Sequence, residues 1–390
     1  MKAVLITAFA SYEPRVSLVR DVFNSLGIET QFVVSDFDHL KKDRRCAVPD
    51  GAVSVPTMFY KRNFSLGRIL SHRRFAKDVA HILNNLSPDV IYATVPPNFL
   101  AKELALYKTR NPKVKLIFDV LDMWPEAFPR RSLKVLFSPL FFLWKRLRDD
   151  SLLKADLVLT ECELFRASLK LAKAKTIYWT TTRFNGCSAE PELSDELLEI
   201  AYLGSINNII DIKRIEQFVR DLTRIKPVTV HVIGTGEKKS QFLFVLRRAK
   251  ATVIDHGVVF EDEKKAEIFR HCHVGLNIMK ESVFVGLSMK SLEYMKFGLP
   301  IVNSLSGDTR FFIQKENIGF NLSDNTVSRL SAMTRNENLM MRLRVKETFE
   351  AYFESSHVRE RITTVLIEFL KERNGKQVNC FPDCETELIG

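Results

Sequence analysis

The sequence lacks an apolar run of the roughly 20 residues that a helix needs to cross a bilayer. Its apolar N-terminal stretch, MKAVLITAFASYEPR, is too short for a signal peptide and predicts a first β-strand instead. The chain also lacks a disulfide framework, because its six cysteines follow no regular spacing. We therefore expect a protein of the reducing cytoplasm without a membrane-spanning segment.

Internal repeats and low-complexity tracts are absent as well. The chain has 390 residues, 46% of them hydrophobic, which is enough for more than one buried core. Strand and helix patterns alternate along it, as is typical of α/β proteins with parallel sheets and right-handed crossovers. The predicted strands are Ala3–Ala8, Thr30–Ser35, Val90–Ala93, Lys115–Val120 and Leu157–Thr160, followed by Glu199–Leu203, Val228–Ile233, Thr252–His256, Val274–Asn277 and Pro300–Asn303.

A single break separates these strands into two units. The stretch RFNGCSAEPELSDE, residues 183–196, is rich in glycine, serine, proline and acid. We predict an N-terminal domain over residues 1–182 and a C-terminal domain over residues 197–345. A long charged helical pattern comes next, so residues 346–373 are predicted to form a C-terminal helix and residues 374–390 a tail.

Acidic residues are scarce in the first half. Residues 1–182 hold 29 lysines and arginines against 18 acidic residues, whereas residues 183–390 hold 29 of each, so the net charge of +11 belongs to the first half. In PRRSLKVLFSPLFFLWKRLRDD, Pro129–Asp150, cations flank a short apolar run. This pattern suits a segment at the interface of an anionic membrane, and it equally suits a core helix with a solvated basic edge. Its cations and aromatic rings are Arg130, Arg131, Lys134, Phe137, Phe141, Phe142, Trp144, Lys145, Arg146 and Arg148.

Four loops of the second unit gather small residues, amides, lysines and one acid. Ligands of open parallel sheets bind beyond the carboxyl ends of the strands, where these loops lie. Backbone N–H groups, a helix N-terminus and lysines suit a phosphate, with a hydroxylated sugar beside it. The candidate residues are Gly204, Ser205 and Asn207 in AYLGSINNIID, Gly234 and Gly236 in HVIGTGEKK, Lys280 in NIMKES, and Ser288, Lys290 and Glu293 in GLSMKSLE.

The same loops lie in segments that resemble a known family. AYLGSINNIIDIKRIEQFV, VHVIGTGEKKSQF, DHGVVFEDEKKAEIFRHCHVGLNIM and MKSLEYMKFGLPIVN follow, in order and spacing, the C-terminal half of GT-B glycosyltransferases of glycosyltransferase family 4. DVLDMWPEAF looks like the D-x-W-P-E segment of bacterial members that build capsule, exopolysaccharide or O-antigen chains. The resemblance implies two Rossmann-like domains whose sheets face a central cleft, with a C-terminal helix returning toward the first domain.

The resemblance also implies a function. A sugar would pass from a nucleotide-sugar donor, UDP-linked in our prediction, to a lipid-linked saccharide, with retention of the anomeric configuration. Glu293 would hold the ribose hydroxyls and Lys290 would face the diphosphate, so both are candidate catalytic residues. The alternative for these two residues is a capped surface helix with an ion pair.

The acceptor is expected in the N-terminal domain, which would face the membrane. A carboxylate there can bind sugar hydroxyls or assist the attacking one, and Asp122 is the preferred catalytic residue on this side. The tryptophan can stack on a sugar, and the basic residues suit a polyprenyl pyrophosphate. The candidates are Tyr12 and Arg15 in AFASYEPR, Asp119, Asp122, Trp124 and Glu126 in DVLDMWPEAF, and Arg68 and His72, with Arg73 and Arg74, in NFSLGRILSHRRF.

Two departures from the family pattern leave the donor sugar open. Val285 stands where many members have an acidic residue, and the loop SINN lacks their arginine and lysine. Asp36 and Asp38 form a DxD-like triplet, but they are far in sequence from the nucleotide loops, so we predict no metal and no cofactor. A nucleic-acid partner is not expected. Two alternatives remain, a non-catalytic GT-B subunit that activates a partner transferase and a sugar-nucleotide epimerase.

Overall fold

The computed structural model describes residues 1–63, 65–128, 138–179 and 191–371. Two sheets, each made only of parallel strands, form the two halves of the chain, which confirms the predicted α/β class. The first sheet contains, in spatial order, β5 (Val53–Val55), β2 (Glu29–Ser35), β1 (Lys2–Thr7), β6 (Val90–Val95), β7 (Lys115–Val120), β8 (Leu157–Thr160) and β9 (Ala174–Thr176). A separate antiparallel pair is formed by β3 (Phe37–Asp38) and β4 (Asp43–Arg44).

The central strands of the first sheet are buried on both faces. Successive side chains of a strand point to opposite faces, so Val4 and Ile6 pack into one core while Ala3 and Leu5 pack into another. Helices cover both faces, which is why these strands are nearly continuous apolar runs. The helices of this half are α1 (Glu13–Ser25), α2 (Leu66–Leu86), α3 (Asn98–Arg110), α4 (Ser138–Leu152) and α5 (Glu163–Leu169).

The second sheet has six strands, and helices cover both of its faces as well. Its strands, in spatial order, are β12 (Thr252–Gly257), β11 (Val228–Ile233), β10 (Leu198–Leu203), β13 (Val274–Asn277), β14 (Ile301–Asn303) and β15 (Gly319–Asn321). Its helices are α6 (Ile212–Thr223), α7 (Lys239–Arg248), α8 (Asp262–His271), α9 (Met289–Lys296), α10 (Asp308–Glu316) and α11 (Thr326–Ala332). In both sheets the strand order reverses beside the first strand, which creates the crevice where ligands of such folds bind.

Two helices follow the second sheet, and the last one returns to the first half. Helix α12 (Arg335–Tyr352) ends before a break at Phe353, and α13 (Ser355–Lys371) packs against α1. Val358, Ile362 and Leu366 lie one helical turn apart and are buried in the core of the first sheet. The predicted return of the C-terminal helix is confirmed, although this helix starts at residue 355 and not at 346.

Two predictions fall partly outside the described residues. The domain boundary at residue 182 and the tail 374–390 lie there and stay predictions, as do the positions of Arg130, Arg131 and Lys134. The remainder of the basic apolar segment forms α4, where Leu140, Phe142 and Leu143 are 51%, 63% and 61% exposed. Over the described ranges, no helix is both long and apolar enough to span a membrane.

Candidate functional site

A cavity of about 690 Å³ lies between the two halves, at the carboxyl ends of their strands. Both halves contribute to its wall, as the sequence predicts for a cleft between two sheets. Eight of the predicted site residues line it, namely Tyr12, Asp122, Gly204, Ser205, Asn207, Ser288, Lys290 and Glu293. The cleft therefore brings together the loops of the second half and two candidates from the first.

Helix α9 is fixed at the cleft by its own N-terminus. The Ser288 hydroxyl accepts a hydrogen bond from the backbone N–H of Ser291 at 3.1 Å, which is the predicted cap. The same hydroxyl donates to the side chain of Asn277 at 3.0 Å, and Ser288 is buried. The cap thus ties the helix start to the end of β13 and holds the first turn of α9 against the cavity.

Lys290 projects from this first turn without a carboxylate partner among the described residues. Its Nζ donates to the Tyr202 hydroxyl at 2.7 Å and lies 3.9 Å from the centroid of the same ring. Burial lowers the pKa of Lys290 to about 7. An incoming anion would favour the charged ammonium, so the site is suited to a phosphate group.

Glu293 forms its ion pair with Lys265 of α8, and the predicted alternative of a Lys290–Glu293 pair is wrong. Lys265 also binds Asp262 at 2.9 Å, so the lysine is shared between two carboxylates. The pairing holds Glu293 at the cavity wall, where its carboxylate can accept hydrogen bonds from hydroxyl groups.

The predicted glycine pair, Gly234 and Gly236, packs against the loop that follows β10 and does not line the cavity. Gly234 and Gly236 have φ angles of 148° and 150°. A Cβ atom would come within 2.1 Å of the Gly204 carbonyl oxygen at the first glycine and within 2.3 Å of the Ile206 carbonyl oxygen at the second. These glycines allow the loop after β10 to pack closely on the loop after β11, so their role is structural. Lys280 is exposed and also does not line the cavity, so its predicted contact with donor phosphate has no support from the geometry.

Two carboxyl groups of the first half face the cleft. Asp122 follows β7, and burial raises its pKa to about 6 although Met123 and Trp124 donate hydrogen bonds to it. Glu161 follows the neighbouring strand β8, and burial together with the charge of Asp122 raises its pKa well above the usual range. The pair is suited to hold one proton and one negative charge at neutral pH.

Glu161 was not predicted from the sequence. It is the first residue after a correctly predicted strand, so the rule that ligands bind at the carboxyl ends of strands would have found it. Trp179 and Phe284 also line the cavity and were not predicted. Neither belongs to a motif that the sequence analysis used.

Arg15 and Asp119 are buried and do not line the cavity, so their predicted role in acceptor binding has no support from the geometry. Arg15 Nε donates to Asp119 Oδ2 at 2.6 Å, and Asp119 has no exposed surface. The hydroxyl of Tyr92 donates to the same carboxylate, and Arg15 also donates to the Tyr178 carbonyl at 3.1 Å. These contacts join α1, β6, β7 and the segment after β9, so the pair has a structural role.

The other acceptor candidates are not among the residues that line the cavity. Glu126 is bound by Arg148 at 2.8 Å and by Lys145 at 3.2 Å, and Trp124 is placed by its bond to Asp122. His72 is buried in the first half, and Arg68 lies one turn before it on α2. Arg73 and Arg74 are exposed on the opposite side of that helix.

The DxD-like triplet has protein partners. Asp36 accepts hydrogen bonds from the backbone N–H and the hydroxyl of Thr57, both at 2.8 Å, and pairs with Arg44. Asp38 accepts from the backbone of Leu40 at 2.8 Å. Within the described ranges no cluster of three or more His, Cys, Asp or Glu residues is arranged to hold a metal ion.

Comparison with known proteins places the second half in a family of enzymes. Residues 198–335 match the family "Glycosyl transferases group 1". No curated protein sequence matches the chain at a significant level. The matched residues contain the loop after β10 and helix α9, which form the second-half wall of the cavity.

Solved structures share the whole architecture. The apo lipopolysaccharide outer core galactosyltransferase WaaB has a TM-score of 0.65 and 13% identity, covering 94% of this chain and 99% of WaaB. Anabaena HepE in complex with UDP and glucose has a TM-score of 0.60 and 13% identity, covering 94% of this chain and 100% of HepE. The Candida albicans trehalose-6-phosphate phosphatase N-terminal domain has a TM-score of 0.65 and 11% identity, covering 95% and 96% of the two chains.

At these identities the structural likeness establishes the two-domain fold and leaves the substrates open. The family match adds the enzyme class to the half that carries Lys290 and Glu293. The protein is therefore a glycosyltransferase with the GT-B fold.

Proposed function

We propose that the protein transfers a sugar from a UDP-linked donor to a lipid-linked saccharide during the synthesis of a cell-surface polysaccharide of the capsule, exopolysaccharide or O-antigen type. The observation that carries this proposal is a single cavity that joins Lys290 and Glu293 of one half to Asp122 and Glu161 of the other. The first pair suits a nucleoside diphosphate, and the second suits a sugar hydroxyl.

The donor side is proposed to stabilise the departing diphosphate. Lys290, at the first turn of α9, would neutralise the charge that develops on the leaving group, and the helix N-terminus would add its partial positive charge. Glu293 would accept hydrogen bonds from the ribose hydroxyls. The complex of HepE with UDP supports a uridine nucleotide, since HepE has the same fold.

The acceptor side is proposed to orient and activate a hydroxyl group. Asp122, with a pKa of about 6, is ionised at neutral pH and can accept a hydrogen bond from that hydroxyl. Glu161, with its raised pKa, would stay protonated and keep the local charge low. In a retaining reaction on one face of the sugar, the leaving phosphate itself takes the proton, so no covalent protein nucleophile is required.

The reaction is proposed to need neither a metal nor another cofactor. Lys290 and the N-terminus of α9 supply the positive charge that a divalent cation would otherwise supply. Activity is expected to survive an excess of EDTA. Complete loss of transfer on chelation, reversed by manganese or magnesium, would contradict this part of the proposal.

The membrane is the proposed location of the acceptor. Exposed apolar side chains of α4 stand beside Lys145 and Arg146, of which Arg146 is 66% exposed. Such a surface suits peripheral attachment to an anionic cytoplasmic leaflet.

A binding and turnover assay tests the proposed function. Purified protein is incubated with a panel of UDP-, GDP- and dTDP-sugars, and thermal stabilisation identifies the donor, since a ligand stabilises the state that binds it. The best donor is then incubated with lipid-linked saccharides, and NMR of the product gives its anomeric configuration. A glycosylated lipid with the donor's configuration is expected. Release of an epimerised nucleotide sugar without transfer would overturn the proposal.

A further inference from the structure

Four basic side chains of the first half, from two elements, lie against Tyr60. His39 and Lys42 come from the loop that β3 and β4 form after β2, while Arg68 and His72 come from the first two turns of α2. We call these four residues the basic cluster. None of the four forms an ion pair with a carboxylate anywhere in the described ranges.

The contacts within the basic cluster are short. Lys42 Nζ lies 3.4 Å from His39 Nδ1, and this nitrogen lies 2.6 Å from the Tyr60 hydroxyl. The His72 ring packs edge-on against Phe9 and Tyr60, with ring centroids 5.5 and 6.1 Å apart. Aromatic rings thus enclose the buried His72, whereas His39, Lys42 and Arg68 stay partly exposed.

Two nitrogen atoms of the cluster, Arg68 Nε and His72 Nε2, are buried and have no hydrogen-bond partner in the described part of the chain. His72 as a whole is only 9% exposed. Leaving a buried polar group unsatisfied costs about 1–3 kcal/mol, and native structures rarely do so without a reason. A ligand with several acceptor oxygens would satisfy both atoms.

The backbone at Lys42 sets the direction of its side chain. Lys42 has a φ of 61°, in the left-handed region that few residues other than glycine adopt. This conformation lets its ammonium donate to the His39 carbonyl and to Asn63, both within the loop that faces α2.

The charges in the cluster repel one another. Burial, followed by the charges of Arg68 and Lys42, lowers the pKa of His39 to about 4. Burial and then Arg68 lower the pKa of Lys42 as well. The carboxylates that oppose this effect are Asp38 and Asp122, but neither is bonded to a cluster residue. A negative ligand would relieve the repulsion.

We propose that the basic cluster is an anion site that binds a phosphate or diphosphate group of the acceptor. This inference rests on the proposed function, which places the acceptor at the first-half side of the cleft. The basic cluster lies near that side, since the charge of Arg68 acts on Asp122 and Tyr12, which line the cavity. The acceptor's anionic group would bind in the first half, while the donor diphosphate binds at Lys290 in the second. The saccharide would then extend from the cluster to Asp122.

The site is tested with the full-length protein, saturated with UDP so that the donor side is filled. Inorganic pyrophosphate and farnesyl diphosphate are titrated by calorimetry into the wild type and into the variants Arg68→Gln and Lys42→Gln. Lys77→Gln is the matched control, because Lys77 is exposed on the same helix as Arg68. Loss of a charge-assisted hydrogen bond is expected to weaken binding about tenfold or more in the two cluster variants and to leave the control unchanged.

The two probes separate the sources of the anion. Tighter binding of farnesyl diphosphate supports a phosphate carried by a lipid, and equal binding of both probes supports the phosphate group of a water-soluble acceptor. Absence of pyrophosphate binding to the wild type, or unchanged binding in both folded cluster variants, would overturn the inference. The UDP affinity of each variant is measured separately, so a failure of the donor site is not mistaken for a failure of the basic cluster.

Discussion

At the scale of single residues, Glu293 is the most direct test of the donor site. Glu293→Ala should weaken UDP binding and transfer by about one to two decades, since a charge-assisted bond to the donor would be lost. The fold should survive, because Lys265 keeps its ion pair with Asp262 at 2.9 Å. Calorimetry with UDP and a turnover assay measure the effect.

The matched control for this variant is Glu263→Gln, an exposed acid on the helix that carries Lys265. It should bind UDP as the wild type does. Wild-type turnover in a folded Glu293→Ala protein would show that Glu293 does not bind the donor.

Lys290 and Asp122 together predict a narrow pH optimum. Lys290, with a pKa of about 7, loses its positive charge as the pH rises above that value, which weakens its interaction with phosphate. Asp122, with a pKa of about 6, becomes protonated as the pH falls below that value, which removes its charge from the acceptor side. The profile of kcat/KM should therefore be bell-shaped, with its maximum between these two values.

The variant Lys290→Arg identifies the basic limb of this profile. Arginine stays protonated throughout the range, so the decline at high pH should disappear even if the maximal rate is lower. A basic limb that persists unchanged in Lys290→Arg would assign it to another group.

At the scale of elements, Asp308 connects the two halves through a helix cap. It starts α10 in the second half, yet its carboxylate accepts the backbone N–H groups of Glu163 at 2.7 Å and Leu164 at 3.0 Å in α5 of the first half. Tyr178 donates to the same carboxylate at 3.2 Å, and Asp308 is only 3% exposed. The cap fixes α5 beside the cleft.

Removing this carboxylate should destabilise the protein. Asp308→Ala leaves two N–H groups and a hydroxyl without their acceptor, which should lower the free energy of unfolding by about 1–3 kcal/mol. Urea denaturation followed by circular dichroism measures the change. Asp324→Ala, at an exposed position, should have no effect, and equal stability of both variants would show that the cap contributes nothing.

The elements also show where sequence patterns are informative. Long buried strands such as Lys115–Val120 and Val228–Ile233 were predicted with correct bounds, because continuous apolar runs between turn signals are distinctive. Three-residue strands such as Val53–Val55, Ala174–Thr176 and Gly319–Asn321 were missed, because so few residues carry no periodicity. Their positions depend on pairing with neighbouring strands and not on their own composition.

The sequence could predict those site residues that directly follow a strand or begin a helix. Ser288, Lys290 and Glu293 were found because a cap and a helix start are local features. The burial of Arg15 could not be predicted, since its partner Asp119 is 104 residues away in the chain. Only the folded sheet reveals that these two charges neutralise each other.

At the scale of the whole molecule, the two halves differ in charge and in cleft chemistry. The second half is neutral overall and supplies the helix start that suits a nucleotide, whereas the first half carries all of the net positive charge. An enzyme whose acceptor is anchored in an anionic bilayer would benefit from this division. In the proposed function, the first half would attach to the surface while the cleft stays open to a dissolved donor.

The exposed part of α4 predicts how that attachment should behave. Leu140, Phe142 and Leu143 can insert at the level of the lipid headgroups, and each nearby cation contributes about 1 kcal/mol at an anionic surface. The protein should therefore float with phosphatidylglycerol vesicles at low salt and release at high salt, since screening weakens the electrostatic part.

A triple variant and a matched control decide whether α4 is the attachment site. Phe142→Ser with Leu143→Ser and Arg146→Glu should abolish flotation, while UDP affinity stays unchanged because Lys290 and Glu293 lie in the other half. Phe244→Ser removes a similarly exposed ring, 62% accessible, from the second half and should float as the wild type does. If the triple variant floats equally well, the apolar side chains of α4 have no membrane role, and the acceptor must be reached by another surface.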